Sequence, residues 1–473
     1  MADALSATLP DSALPGRTPA GLKFRLWVMM FLQYFVQGAY LPVLTVYLDT
    51  GLGFGPEQLG YVGAAIAVGS LVAPFFVGQL VDRHFATDRV LAAFHLGCGA
   101  LMLVLYMLTS FWPILVVATL YSALYVPTTM LTNSLSFWHL RDREREFPAV
   151  RLWGTVGFIV PAFFIEMVLL RGMGGETLDK ARGVILLVSG IGSLAMAAYC
   201  LLLPHTPPVK KKHSDFAPKK VFELLRLVDF RVLVLVSFVV AIAHQYFFVW
   251  NSPFLQAMLR RGGIERALEQ QIAAIGQIFE VAVMAVLGLM LRRLGFKRTL
   301  LIGAAAYAVR CLVLGTAASW DGPFPAVMTL VGVGQALHGV CFGCFLAVAF
   351  IYVDRVAPVD IRGSVQNLYG VVVISLGLSL GALVSGKVGA AFTSDSPAAG
   401  LRSRMGIEYT VGITTEEERT SEGRVTRHRD WPGIWFSGAV IAAVAVGWLA
   451  ISFPRDPPPA NVYDDGTNQK PRA

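Results

Sequence analysis

Gly78-Gln79-Leu80-Val81-Asp82-Arg83 and Gly288-Leu289-Met290-Leu291-Arg292-Arg293 begin and end alike. Each starts on glycine and reaches an arginine at the same spacing. Each then leads through further charges, Asp88-Arg89 in one and Lys297-Arg298 in the other, into a new apolar run. Glycine lets two helices approach closely, and the charges hold helix ends at a membrane surface. Basic clustering at one membrane face could produce either stretch alone. Two copies in matched places instead point to a chain built as an internal repeat, with Gly78, Asp82, Arg83, Gly288 and Arg293 marking equivalent loops.

Composition sets the class. Of 473 residues, 55% are hydrophobic and 15% are charged, whereas soluble domains carry about 25% charged residues. Apolar runs of about 20 residues recur along the chain, as membrane-crossing helices require. Closed β-barrels are excluded, because their apolar pattern alternates over short segments. The net charge of +8 sits mainly in short loops, so it sets topology and is no sign of a nucleic-acid partner. Cys98, Cys200, Cys311, Cys341 and Cys344 all lie in apolar segments and read as small apolar residues. Cys341 and Cys344 have C-x-x-C spacing but no second pair, so no metal site is expected.

Twelve spans can be drawn, near 25–48, 58–81, 90–111, 113–138, 148–170, 183–203, 231–256, 270–292, 298–318, 324–353, 362–391 and 432–453. The expected fold is therefore all-α and polytopic. It has an N-terminal tail (1–24), a six-helix bundle (25–203), a linker (204–230), a second six-helix bundle (231–453) and a C-terminal tail (454–473). A long insert, 393–430, interrupts the second bundle. No cleavable signal peptide is expected, since the first apolar run is too long for one. Lys210, Lys211, Lys212, Lys219 and Lys220 make the linker strongly basic. The positive-inside rule then puts the linker and both termini in the cytoplasm.

Ionisable residues inside such spans are functional candidates by default. Arg151 opens Arg151-Leu152-Trp153-Gly154-Thr155-Val156-Gly157-Phe158. Helical spacing puts Arg151, Thr155 and Phe158 on one face, which offers a donor fork, a hydroxyl and an aromatic plane. Two readings are open: a polar site inside the bundle, or a side chain snorkelling from the helix end to lipid phosphate. Glu280 shares a face with Gln277. It reads either as a proton-binding carboxylate or as half of a fixed ion pair with Arg310. His338, His244 and Gln245 also lie within spans. Glu166 sits near an outer helix end and is expected to reach interfacial water, and His95 is expected to be a satisfied packing histidine. Gln37 and Asn133 stand out because an unpaired amide in hydrocarbon is costly.

Several of these stretches resemble a known family. The repeated loop is similar to the loop signature of the major facilitator superfamily. The octapeptide from Arg151 resembles the fifth-span signature of its nucleoside:proton symporters. Phe31-Leu32-Gln33 with Gly38, Leu203-Pro204-His205, Gln277 with Glu280, and Val384-Ser385-Gly386-Lys387-Val388 agree. The resemblance runs from about residue 22 to residue 455, apart from the loop between the fifth and sixth spans and the 393–430 insert. It implies a pocket between the bundles formed by Arg151, Thr155, Phe158, Gln245, Gln277, Glu280 and Phe342, with His338 where a tyrosine is common. Gly343 replaces a frequent aspartate, and Phe248 a frequent asparagine. Glu280 is left as the main coupling carboxylate, with His338 as second candidate.

The function implied is proton-coupled nucleoside uptake by alternating access, driven by the proton gradient with no cofactor. The setting is the cell (inner) membrane, and the partners are nucleoside, protons and lipid, with the chain expected to be a monomer. Amides and a carboxylate suit ribose hydroxyls, and Phe158 and Phe342 suit a base. The nearest rival is a sugar or oligosaccharide:proton symporter. A membrane receptor leaves the repeat unexplained. A membrane-embedded enzyme lacks any catalytic or nucleotide-binding motif.

Overall fold

The computed structural model describes residues 17–83, 85–208, 224–357, 362–370, 375–394, 412–420 and 423–454. Among these, ten helices are long and apolar enough to cross a membrane. The first four long helices are α1 (Ala20–Tyr40), α2 (Pro56–Arg83), α3 (Thr87–Met107) and α4 (Phe111–His139). Then come α5 (Arg143–Phe164), α6 (Val184–Tyr199), α7 (Val228–Arg261) and α8 (Glu269–Ser319). The series ends with α9 (Phe324–Cys341), α10 (Leu378–Ala391) and α11 (Trp431–Ser452). Helix α1 starts inside the expected N-terminal tail, and α7 starts inside the expected linker. The basic stretch from Lys210 to Lys220 lies outside the described residues, as do the side chains of Gly78, Asp82 and Arg83.

Helix α8 is two helices joined at Gly295, whose φ of 74° breaks the run. That left-handed backbone strongly favours glycine. The break falls in the loop expected after Gly288 and Arg293. Arg293 is exposed there, and the Lys297 ammonium donates to the Phe453 carbonyl at the end of α11.

Small residues set the packing. Helix α1 packs on α5 and α6, α2 on α4 and α10, and α8 on α9 and α11. The α1–α5 crossing is the tightest: a Cβ at Gly157 would lie 2.2 Å from the Phe31 carbonyl oxygen, and one at Gly38 would lie 2.1 Å from that of Phe158. Gly60 and Gly386 bring α2 and α10 together in the same way, with a Cβ at Gly60 only 2.7 Å from the Ala382 carbonyl oxygen. Gly157→Val is therefore expected to force α1 and α5 apart. The cost is about 1–3 kcal/mol or more, read as a lower unfolding temperature of the purified protein in detergent. An unchanged unfolding temperature would refute the close crossing.

The insert departs from an all-α expectation. It forms a small antiparallel sheet of β1 (Thr393–Ser394), β2 (Ile413–Thr420) and β3 (Gly423–Asp430), in the order β1-β3-β2. Trp431 follows it and stacks edge-on against Trp250 and Phe254. The sheet thus rests on a buried aromatic cluster at one end of the bundle.

Candidate functional site

The octapeptide owes its composition to the α1–α5 contact. Trp153 stacks on Trp27 with ring centroids 5.9 Å apart. The Arg151 guanidinium lies over the Tyr34 ring, 4.2 Å from its centroid. Gly154 makes room for that pair: a Cβ there would sit 2.7 Å from both Arg151 Nη1 and the Tyr34 ring. Arg151 is thereby directed into the bundle, and Thr155 and Phe158 follow it on the same face. All three line a cavity of about 410 Å³.

The facing wall comes from α7, α8, α9 and the segment that continues α9. Gln245, Gln277, Glu280, His338 and Phe342 line the same cavity. Gly339 permits this meeting, because a Cβ there would lie 2.5 Å from the Glu280 backbone nitrogen. His338 Nε2 consequently stands 3.8 Å from Glu280 Oε2. Phe342 opens a π-helical turn, Phe342–Ala347, which interrupts α-helical geometry beside the cavity. A smaller cavity of about 40 Å³ adjoins the first and is lined by Gln270, Asn251 and Gln335 as well as Gln277 and His338. There the Gln335 amide donates to Asn251 Oδ1 at 2.8 Å. All eight sequence-nominated residues thus share one cavity.

One of the two open readings of Glu280 is ruled out, and the expectation for Glu166 needs correction. Arg310 is not the ion-pair partner of Glu280. Its guanidinium stacks 3.7 Å from the Phe247 ring centroid, and Nη1 donates to His338 Nδ1 at 3.1 Å. Nor does Glu166 reach water. It is buried and accepts from the backbone amides of Gln270 at 2.7 Å and Gln271 at 3.1 Å. A carboxylate at the N-terminus of α8 meets unpaired amides and the positive end of the helix dipole. His95 is satisfied as expected, by Ser193 Oγ at 3.0 Å and Gln33 Oε1 at 2.9 Å. Gln37 lines the cavity, whereas Asn133 is not among the lining residues and its Oδ1 has no hydrogen-bond partner among the described residues.

Polar contacts also bridge the chain's early and late helices at the end that carries the sheet. Buried Arg182 donates to Asp179 and Glu269, both at 2.5 Å. Asp179 also accepts from Gln256 and Arg260 at 2.7 Å. Arg429 of β3 makes a bidentate pair with Asp49, at 2.6 and 2.9 Å. Buried charges are tolerated when paired and hydrogen-bonded this fully.

The family description "Nucleoside H+ symporter" matches residues 20–457. The chain belongs to that family. This nucleoside H+ symporter is a multi-pass membrane transporter that couples nucleosides to protons. It is 28% identical to YegT of Escherichia coli (strain K12) over 446 residues, covering 92% of this chain and 94% of that one. Its identity to the xanthosine permease of the same organism is 26% over 454 residues, covering 92% and 97%. Its fold is that of the solved nucleoside transporter NupG, with a TM-score of 0.75 at 21% identity, over 91% of this chain and 99% of that one.

Sequence reasoning did not single out Tyr34 for the symporter's cavity, and it named His244 only as an ionisable residue within a span. Tyr34 lines the cavity and carries the Arg151 guanidinium on its ring. His244 faces the cavity while its Nδ1 meets the Tyr307 hydroxyl at 2.9 Å. Its signal was the ionisable residue within an apolar span. Among the described residues, no group of His, Cys, Asp and Glu could hold a metal ion.

Proposed function

We propose that this protein imports nucleosides with protons across the cell (inner) membrane, alternating access between two six-helix halves. Twelve spans follow when α2 is added to the ten apolar helices and α8 is divided at Gly295. Both termini and the linker are cytoplasmic in this reading, the sheet faces outside, and the protein acts as a monomeric transporter and not as an enzyme. The bridging contacts around Arg182 and Asp49 then seal the outer entrance. Arg151, Thr155, Gln245, Gln277 and His338 hold the polar edges of the nucleoside, Phe158 and Phe342 flank its base, and Glu280 carries the proton.

One observation carries the reading: residues from α5, α7, α8 and the α9 segment converge on a single cavity of about 410 Å³. That volume falls within the ~300–1,000 Å³ typical of small-molecule sites. Its lining pairs aromatic faces with amides, an arginine and a carboxylate, which matches a base joined to a ribose better than a sugar alone.

The test is uptake of labelled uridine and adenosine by proteoliposomes, with the external medium made acidic. Accumulation should require the pH gradient and be competed by unlabelled nucleoside, not by maltose. Competition by maltose without competition by nucleosides would establish the sugar-symporter alternative.

A further inference from the structure

We propose that Arg310, outside the cavity, fixes the tautomer of His338 and so makes His338 a permanent hydrogen-bond donor toward bound ligand. The proposal rests on reading the cavity as the nucleoside site.

Arg310 is fully buried, at 0% exposure. Among the described residues no carboxylate pairs with it. Its faces rest on Phe247 and Tyr307, with centroid distances of 3.7 and 5.1 Å. Among the described residues Nε and Nη2 have no hydrogen-bond partner. Its one hydrogen bond among the described residues runs from Nη1 to His338 Nδ1, at 3.1 Å. An unpaired guanidinium is costly to bury, even with cation–π contacts to offset part of the cost. A purely structural position would be better served by an apolar side chain.

The single bond has a definite chemical consequence. Guanidinium nitrogens only donate. Nδ1 of His338 must therefore present its lone pair, and the ring proton must sit on Nε2. A second proton could enter only at Nδ1, where it would break the bond and set two cations face to face. The other neighbours of the ring are His244, Phe247 and Phe248, at centroid distances of 6.0, 5.9 and 5.7 Å. None of these rings carries a negative charge, and the nearest carboxylate, Glu280, lies 3.8 Å away on the Nε2 side, where it offers no acceptor to Nδ1.

The Nε2 proton faces the other way, toward the cavity that His338 lines. Glu280 Oε2, at 3.8 Å, is beyond ordinary hydrogen-bond length. The donor therefore remains available to an acceptor on the ligand, such as a base carbonyl, a ring nitrogen or a ribose oxygen. Without Arg310 the ring could hold its proton on either nitrogen, and the site would lose its preference for an acceptor at that point. Arg310 is thus a positioning residue, and His338 the specificity-determining one. While this bond holds, His338 cannot also carry the coupled proton, which leaves that task to Glu280.

Two measurements test this. The first is the nitrogen NMR spectrum of protein labelled with ¹⁵N-histidine, with the His338 signals assigned by their loss in His338→Gln. At neutral pH the wild-type protein should show an unprotonated Nδ1 and a protonated Nε2. Arg310→Met should yield a tautomer mixture or a protonated ring. A protonated Nδ1 in the wild-type protein would overturn the proposal. This measurement needs no substrate, so failure of nucleosides to bind would count against the proposed function and leave the tautomer assignment standing.

The second is nucleoside affinity in a double-mutant cycle. Phenylalanine at position 338 has no ring nitrogen for Arg310 to orient. Arg310→Met should weaken binding about tenfold beside His338, but about twofold or less in the His338→Phe background. Equal losses in both backgrounds would make Arg310 a packing residue and sink the idea. If Arg310→Met does not fold, the wild-type spectrum decides alone.

Discussion

Replacing Arg151 with alanine is expected to abolish nucleoside uptake and leave a folded, membrane-inserted protein. Each hydrogen bond from a charged donor to bound ligand contributes about 1.5–3 kcal/mol, so losing the fork should weaken binding about a hundredfold or more. Folding should survive because Arg151 rests on the Tyr34 ring, and no described carboxylate pairs with it. Its removal breaks no ion pair among the described residues. Arg182 is the instructive contrast, since losing it would leave buried Glu269 without its cation and Asp179 with Arg260 alone. Arg151→Lys should not restore uptake, because a point charge cannot reproduce a planar fork. Binding by gel filtration-pure protein and uptake by proteoliposomes give the two readouts. Wild-type affinity in Arg151→Ala would remove Arg151 from the site and revive the snorkelling role that its place near a helix end allows.

The helices were legible because lipid imposes length and apolarity on each segment, and those leave a direct trace in the chain. The break at Gly295 was equally legible, from a repeat that placed a loop there. Within the site, helical period put Arg151, Thr155 and Phe158 together, and Gln277 with Glu280. Resemblance supplied Gln245 and Phe342, which periodicity alone could not connect to the others. Partners were harder. Arg310 and Glu280 lie on the two parts of α8, but which charges meet depends on how those parts rotate about Gly295 and on where α9 docks. Glycines settle that docking: Gly276 and Gly339 admit α9 so closely that His338 takes the place beside Arg310. Glu166 was misread for a related reason. Depth along its own helix suggested water, but the start of α8 covers it. The insert's strands, ITTEEERT and GRVTRHRD, carry little apolar alternation. Their pairing is anchored from outside, by the Arg429–Asp49 pair and the aromatic cluster under Trp431.

Glu280→Gln is expected to end accumulation driven by a pH gradient while keeping nucleoside binding and exchange. The glutamine has nearly the shape of the protonated acid and cannot release a proton. A coupling group must change charge between the two access states, and the cavity's geometry suits Glu280 to that role. It lines the cavity with Gln277 and Arg151, so its proton sits next to the ligand. It is free of Arg310, whose one hydrogen bond goes to His338; a fixed Glu280–Arg310 pair would have held the carboxylate ionised in every state. When Glu280 is ionised it offsets the permanent charge of Arg151 across the empty cavity. When it is protonated, Arg151 loses that balance and its fork is left to the polar edge of a nucleoside. Proton and nucleoside are then taken up together because each makes the other's site more favourable, which is a coupling free energy shared between two sites. In Glu280→Gln the balance is fixed in the loaded form. Proteoliposomes preloaded with nucleoside should therefore still exchange it for labelled nucleoside outside, with no dependence on the pH gradient. If the variant still concentrates nucleoside against its gradient, Glu280 does not carry the proton. His244, whose ring lines the same cavity and has no such arginine bond, would then be the next residue to change.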